Sequence, residues 1–138
     1  MPELLRMAEA FAATPYGQLF HVTREAAEGL IGLLFNFGDN AAILLAAVDG
    51  VDVGMLAIVA SPHPFNGQIY ADEVVWWVDP TARGSSLAGP KLLRAAEDWA
   101  RERNCYMVKM VAPVGSTVGA FYERLGYTAI ETAYAKPL

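Results

Sequence analysis

The segment from Trp76 to Leu93 constrains the fold more than any other part of the chain, because its pattern predicts a strand, a loop and a helix in succession. Its apolar residues stop at Asp79-Pro80, a loop rich in glycine and serine follows, and an amphipathic helix then begins. Such a junction brings backbone N–H groups and the positive end of a helix dipole to one point. The sequence therefore predicts an anion site that suits a phosphate or a pyrophosphate.

The rest of the chain supplies further helices and strands, with no repeat or linker between them. Periodicity and turn signals predict a helix that ends before Thr14-Pro15 and a second helix that Thr23 opens and Gly38 closes. The other predicted elements, in chain order, are strands 41–48, 51–60 and 69–78, a helix after the glycine-serine loop, strand 106–111, helix 118–125 and strand 127–136.

This order of elements indicates the fold class. Asp49-Gly50 between two apolar runs predicts an antiparallel hairpin with a two-residue turn, whereas the later strand–helix–strand steps predict crossovers. Strand 69–78 is apolar on both faces, so it should be central and covered on both sides. One face is formed by Val75 and Trp77, and the other by Val74, Trp76 and Val78. We therefore expect an α/β (α+β) fold in which a mixed sheet carries helices on both faces.

The composition narrows the function classes. With 138 residues, 54% of them hydrophobic and 18% charged, the chain is expected to form one domain over residues 1–138 and is not disordered. Its longest apolar stretch, 41–48, is far shorter than the roughly 18 residues that a membrane-spanning helix needs. The net charge of −5 disfavours a nucleic-acid partner and is compatible with a cationic substrate.

The cysteine and histidine residues point to neither a disulfide nor a metal site. Cys105 is the only cysteine, so no internal disulfide can form, and we expect a reducing compartment, the cytoplasm. Its place in an apolar run predicts a small buried side chain rather than a reactive thiol. His21 and His63 have no metal-ligand neighbour at a useful spacing, so we interpret both as surface residues. The charged residues near the N-terminus predict that it is not a signal peptide.

Two motifs together resemble the GNAT superfamily of acyl-CoA-dependent N-acyltransferases. In the first, Val78-Asp79-Pro80 leads into Arg83-Gly84-Ser85-Ser86-Leu87-Ala88, which is similar to the family's loop of Gln or Arg, two residues, Gly, one residue, and Gly or Ala. The second, Tyr122-Glu123-Arg124-Leu125-Gly126-Tyr127, is similar to the end of a helix in that family. The resemblance covers about residues 41–136, implies a mixed and mostly antiparallel sheet, and extends to the short acetyltransferases carried by tailed phages.

The sequence departs from the family pattern at several places. Ser86 stands where Gly is expected, although its N–H remains and its hydroxyl can cap the helix. Gly115 stands where the family often has Asn, and Ser116 or Thr117 could replace that cofactor contact. A strand before the first helix is missing, and the C-terminal end has room for about one strand instead of two. Sheet edges left open in this way predict a homodimer that buries an edge or the C-terminal strand.

Carried over by position, the resemblance implies acetyl transfer from acetyl-CoA to a primary amine on a small molecule or a protein. The backbone of Trp76 and Val78 would pair with the pantetheine, and the Val78 N–H would polarise the thioester carbonyl. The loop would hold the pyrophosphate, and Ser116 would contact the same cosubstrate. The loop residues are Arg83, Gly84, Ser85, Ser86, Leu87, Ala88 and Gly89.

The resemblance also implies the groups that move protons. Tyr122 matches the tyrosine that acts as general acid toward the leaving thiolate, and a phenol stays protonated at neutral pH. Glu73 is the first candidate for a general base acting through water, and Asp72 is the second. The alternative is that Tyr122 only packs at a helix end and that the carboxylates form salt bridges. Two further classes stay open: a non-catalytic acyl-CoA-binding or interaction module of the same fold, and a dinucleotide-binding protein, for which no G-x-G-x-x-G motif is found.

Overall fold

The computed structural model describes residues 2–84 and 87–138, and it begins with three helices. The Thr14 hydroxyl accepts a hydrogen bond from Gly17 N–H, and the Thr23 hydroxyl accepts one from Ala26 N–H, both at 3.1 Å. Both predicted helices are confirmed, and the cap at Thr14 adds a short one that the sequence analysis missed. The three helices are α1 (Pro2–Ala12), α2 (Pro15–Leu19) and α3 (Arg24–Asn36).

A four-stranded sheet follows, with the strands side by side in chain order. The first three strands are antiparallel, and the fourth runs parallel to the third. The predicted two-residue turn is confirmed, because Asp49 and Gly50 have φ of +52° and +79°, as such a hairpin requires. The strands are β1 (Ala41–Val48), β2 (Val51–Pro62), β3 (Ile69–Val78) and β4 (Val108–Lys109).

Helices cover both faces of the sheet, as predicted. On one face lies α4 (Ala88–Glu102), whose buried Leu92, Ala96 and Trp99 pack against Leu56 and Ile58 of β2. On the other face, α1 and α3 pack against Met55 and Trp77. The short helix α5 (Val118–Arg124) follows β4. The fold is thus a mixed α/β sheet with two hydrophobic cores, one on each face.

A β-bulge interrupts the middle of β3. Ala57 pairs with Val75, whereas the next residue of β2, Ile58, pairs with Glu73, so that Val74 is an extra residue. Val74 is 39% exposed. The prediction that Val74 shares an apolar face with Trp76 and Val78 is therefore wrong, because the bulge shifts the alternation of side chains along the strand by one residue.

Among the described residues, no strand lies on the outer side of the carboxyl half of β3. β4 pairs only with Ala71 and Asp72, although the sequence predicted a strand over 106–111. The predicted last strand over 127–136 is wrong, since residues 127–138 carry no strand. A strand forms only where a neighbouring edge can accept its hydrogen bonds, and a two-residue β4 offers little edge. In the described parts of the chain, no helix is both long and apolar enough to span a bilayer.

Candidate active site

At the outer edge of β3, the backbone groups of two residues face the gap beside the strand. Asp79 N–H donates to Val53 O at 2.7 Å, and hydrogen-bonded pairs alternate along an antiparallel ladder. Trp77 therefore bonds to β2, while the N–H and C=O groups of Trp76 and Val78 point away from β2. An extended ligand lying in the gap could pair with both residues as an added strand does.

Arg83 binds at the carboxyl end of this edge. Its Nε donates to the Val78 carbonyl at 2.6 Å, and its guanidinium lies 4.7 Å from the centre of the Trp77 ring. Gly84 follows with φ of +76°, a left-handed conformation that favours glycine. These contacts fix the chain directly after β3 ends.

The loop from Arg83 ends at Leu87, which is the N-cap residue of α4. The first turn of α4 carries no acidic residue, so nothing acidic there offsets the positive end of the helix dipole. A Cβ placed on Gly89 would lie 3.6 Å from the Trp76 ring, so α4 starts directly beside β3. Ser85 and Ser86, predicted to bind pyrophosphate, lie outside the described residues.

Asp79 joins the loop to α1, a role that the sequence analysis missed. Its carboxylate accepts a hydrogen bond from Trp77 Nε1 at 2.9 Å and two from the Arg6 guanidinium at 2.9 and 3.2 Å. Burial alone would raise the pKa of Asp79, but the hydrogen bonds from Arg6 and Trp77 outweigh it and lower that pKa. Asp79 thus stays ionised and fixes the chain where β3 becomes the loop.

Glu73 is a buried carboxyl group at the point where β3 and β4 separate, and only 9% of the residue is exposed. Burial raises its pKa to about 7, against the opposing effect of a hydrogen bond from the Val111 backbone. A carboxyl group with this pKa exchanges a proton readily near neutral pH. The alternative of a salt bridge for Glu73 is not supported, since no ion pair to it is found among the described residues.

Tyr122 lies on α5 beside Glu73. Its hydroxyl donates to the Val111 carbonyl at 2.8 Å. Burial, and then the negative charge of Glu73, raise the pKa of Tyr122, so the phenol stays protonated. The peptide groups of Val111 therefore connect the two predicted proton carriers, since its N–H faces Glu73 and its C=O faces Tyr122. The sequence gives no signal for Val111, because the contact is made by backbone alone.

Aromatic rings pack together around Trp76 and Tyr122. The Trp76 ring stacks on Tyr122 with centroids 5.8 Å apart and lies 6.2 Å from Phe121, and Tyr127 packs 5.5 Å from Tyr122. The Trp76 Nε1 atom is buried and has no hydrogen-bond partner among the described residues. An unsatisfied donor beside the gap fits a ligand that carries amide and carbonyl oxygens, as pantetheine does.

Other predicted residues lie apart from this centre. Ser116 is in an exposed loop, where its N–H donates to Pro113 O at 3.1 Å. Asp72, the second candidate base, is only half-buried, and its side chain lies on the opposite face of β3 from that of Glu73. His21 is exposed, whereas His63, expected at the surface, is half-buried among aromatic rings. In the described ranges, no group of three or more His, Cys, Asp or Glu side chains could hold a metal ion.

Comparison with known proteins assigns the chain to one family. The model of the acetyltransferase (GNAT) family matches residues 4–127. No curated protein matches the sequence significantly.

Several solved structures share the fold. A transcriptional regulator from Bacillus halodurans C-125 is 20% identical with a TM-score of 0.81, over 99% of this chain and 94% of that one. A putative acetyl transferase from Pyrococcus furiosus is 22% identical with a TM-score of 0.78, over 99% and 93% of the two chains. The aminoglycoside 6'-N-acetyltransferase AAC(6')-IG from Acinetobacter haemolyticus is 20% identical with a TM-score of 0.74, over 99% and 92%.

Proposed function

The chain belongs to the acetyltransferase (GNAT) family, and from that premise we propose that it moves the acetyl group of acetyl-CoA to a primary amine by direct attack in a ternary complex. The amine nitrogen forms a bond to the acetyl carbon, and the carbon–sulfur bond breaks. One proton leaves the amine, and one proton joins the coenzyme A sulfur. The products are an N-acetyl amine and the free thiol.

In this proposal, acetyl-CoA lies in the gap beside β3. Its pantetheine can pair with the outward backbone of Trp76 and Val78, and the Val78 N–H can polarise the thioester carbonyl. Its pyrophosphate can lie on the loop from Arg83 to Gly89, at the positive end of α4. Ser116 is a further candidate contact.

Glu73 is the proposed general base. An alkylamine with a pKa of about 10.4 is almost fully protonated at pH 7, and the neutral form costs about 4 to 5 kcal/mol. A carboxyl group whose pKa is about 7 can take that proton, directly or through water.

Tyr122 is the proposed general acid. Its hydroxyl, now bonded to the Val111 carbonyl, can rotate to protonate the departing thiolate. When Glu73 accepts a proton, one of the charges that raise the pKa of Tyr122 is removed. The base therefore strengthens the acid during the reaction. This arrangement of Glu73 and Tyr122 about Val111 is the observation that carries the proposal, since a non-catalytic binding module needs neither group.

The proposal is tested by incubating the protein with acetyl-CoA and a panel of primary amines, and by measuring the release of free thiol. Acetyl-CoA should also raise the melting temperature. Acetyl-CoA binding without turnover of any amine would indicate the non-catalytic module, and no binding at all would exclude both.

Leu87 offers a sharp test of the loop. Because Leu87 is the N-cap residue and is exposed, Leu87→Asp should stabilise α4 while placing a negative charge where the pyrophosphate is proposed to bind. We expect the acetyl-CoA shift in melting temperature to disappear. The neutral control Leu87→Asn should cap the helix equally well and keep the shift. Equal shifts in both variants would contradict the loop assignment.

We also propose a homodimer that pairs the free edge of β1. This strand has no charged residue and no proline, its Leu45 is 47% exposed, and a groove of about 330 Å³ runs between it and α4. Light scattering should give a mass twice that of the chain, and Leu45→Lys should reduce it to the mass of a single chain. A single-chain mass for the unaltered protein at high concentration would contradict the dimer.

We propose that the enzyme works in the cytoplasm and that residues 1–138 form one catalytic domain. Cys105 supports a reducing compartment, because it is the only cysteine and cannot form an internal disulfide.

A further inference from the structure

Four rings gather at the end of the β2–β3 hairpin: His63, Phe65, Tyr70 and Tyr106, called here the aromatic cluster. The His63 ring lies 5.0 Å from Phe65, 4.8 Å from Tyr70 and 6.4 Å from Tyr106, centre to centre. Phe65 is 93% exposed and Tyr106 is 45% exposed, whereas Tyr70 is buried. The cluster thus presents exposed aromatic rings to solvent and also contains the buried ring of Tyr70.

The loop that carries the cluster is held in place by hydrogen bonds. The Phe65 N–H donates to His63 Nδ1 at 3.0 Å, and the Gln68 N–H donates to Asn66 Oδ1 at 3.0 Å. Two backbone bonds of 2.8 Å also join His63 to Gly67 and Gln68. Phe65 is therefore displayed by a fixed loop, which lowers the entropy cost of binding a ligand to it.

Asp72 connects the aromatic cluster with the proposed general base, Glu73, along β3. The Tyr70 hydroxyl donates to Asp72 Oδ2 at 3.1 Å. Tyr70 and Asp72 share one face of β3, and Glu73 lies on the other, at the point where pairing with β4 ends. On the Glu73 face, the rings of Trp76 and Tyr122 stack on each other. On the Asp72 face, α1 and α3 pack against Met55 and Trp77, so an acceptor that approaches Glu73 from the cluster would enter between β3 and β4, where their pairing ends.

The charges beside the cluster favour a cation. Asp72 is half-buried and carries a negative charge. The neighbouring cation, Lys109, is already paired with Glu131 at 3.1 Å. A ligand with its own phosphate or carboxylate would meet Asp72 without a free positive partner here, whereas an amine would be attracted.

We propose that the aromatic cluster, together with Asp72, binds the acceptor, and that the acceptor is a small amine carried on an aromatic body. This inference rests on the proposed acetyl transfer. The ring of the acceptor packs against Phe65 and Tyr106, and its amine extends past Asp72 to Glu73.

The test compares phenethylamine with ethanolamine as acceptors and measures thiol release. We expect kcat/KM to be at least about 10-fold higher for phenethylamine. Phe65→Ala should raise the KM for phenethylamine about 5-fold or more and leave the KM for acetyl-CoA unchanged. The matched control is Phe35→Ala, which removes another exposed phenylalanine ring, 69% exposed, from α3 and should change neither KM.

Two outcomes separate this inference from the proposed function. If ethanolamine or glucosamine 6-phosphate is acetylated as efficiently as phenethylamine, the acetyl transfer stands and the aromatic acceptor is wrong. If no amine is acetylated, calorimetric titration of phenethylamine into the protein still decides, because binding that Phe65→Ala removes supports the site. Absence of that binding, or equal binding in the variant, overturns it.

Discussion

Glu73 and Tyr122 act on each other through one residue that sequence patterns cannot reveal. The Val111 N–H lowers the pKa of Glu73, and burial outweighs that effect. The Val111 carbonyl holds the Tyr122 hydroxyl at 2.8 Å. Since Glu73 also raises the pKa of Tyr122, the two residues form a pair whose proton affinities change together.

Removal of the Tyr122 hydroxyl should distinguish a role as general acid from a role in packing alone. In Tyr122→Phe the ring that stacks on Trp76 remains, so acetyl-CoA affinity should change little. If the hydroxyl protonates the thiolate, kcat should fall about 10²-fold or more. Steady-state kinetics with an acceptor amine, under conditions where chemistry limits the rate, measure both values. An unchanged kcat would show that Tyr122 only packs.

Replacement of Glu73 should change the pH dependence of the reaction. The free enzyme needs the carboxylate form, so kcat/KM should rise with pH through a midpoint near 7. Glu73→Gln should lower kcat about 10²-fold and abolish this rise. The control is Asp72→Asn, which removes the second candidate base on the opposite face; the rise should remain, with a lower midpoint, because the charge of Asp72 contributes to the raised pKa of Glu73. A midpoint lost in Asp72→Asn instead would move the role of base to Asp72.

Among the elements, the turn from β3 into α4 depends on α1. Arg6 of α1 also donates to the Asp52 carbonyl at 2.9 Å, so a single side chain ties the helix to β2 and to Asp79. The loop proposed to hold pyrophosphate is thus supported from the opposite face of the sheet.

Asp79→Ala should therefore weaken both the fold and the loop. It leaves the Trp77 Nε1–H without its acceptor and removes two hydrogen bonds from the Arg6 guanidinium, at a cost of about 1 to 3 kcal/mol. The KM for acetyl-CoA should rise as well. Glu3→Ala is the control, because it removes only an exposed partner of Arg6 and should cost less than about 0.5 kcal/mol. Urea titration and kinetics measure the two effects, and equal losses in both variants would contradict the role of Asp79.

The elements that could be predicted from the sequence are those set by local signals. Asp49-Gly50 fixes the hairpin, Thr23 caps α3, and the bounds of β3 follow from its apolar run. The motifs also led to Glu73 and Tyr122. The bulge at Val74, the early end of β4 and the missing last strand depend on which edges meet in space, and no local pattern carries that information.

Across the whole molecule, a buried carboxyl group at the junction of β3 and β4 reduces folding stability. Glu73 is the only charged residue among the buried ones in the described part of the chain. Its pKa is about 7 in the folded protein and about 4.3 in an unfolded chain. The folded state therefore binds more protons than the unfolded state between these two values.

Stability should consequently fall as the pH rises from about 4.3 to about 7, and the loss at higher pH amounts to about 4 kcal/mol. Below this window the group is protonated in both states and imposes no penalty. Glu73→Gln keeps an acceptor for the Val111 N–H but cannot ionise, so it should be more stable than the unaltered protein at pH 8 and similar to it at pH 3.5. The free energy of unfolding from urea titrations at the two pH values measures the difference. Glu25→Gln, exposed in the first turn of α3, is the control, and it should not gain stability at pH 8, because its carboxylate interacts favourably with the helix dipole. If Glu73→Gln is no more stable at pH 8, the carboxyl group is not held at a raised pKa, and its role as a base near neutrality loses its physical cause.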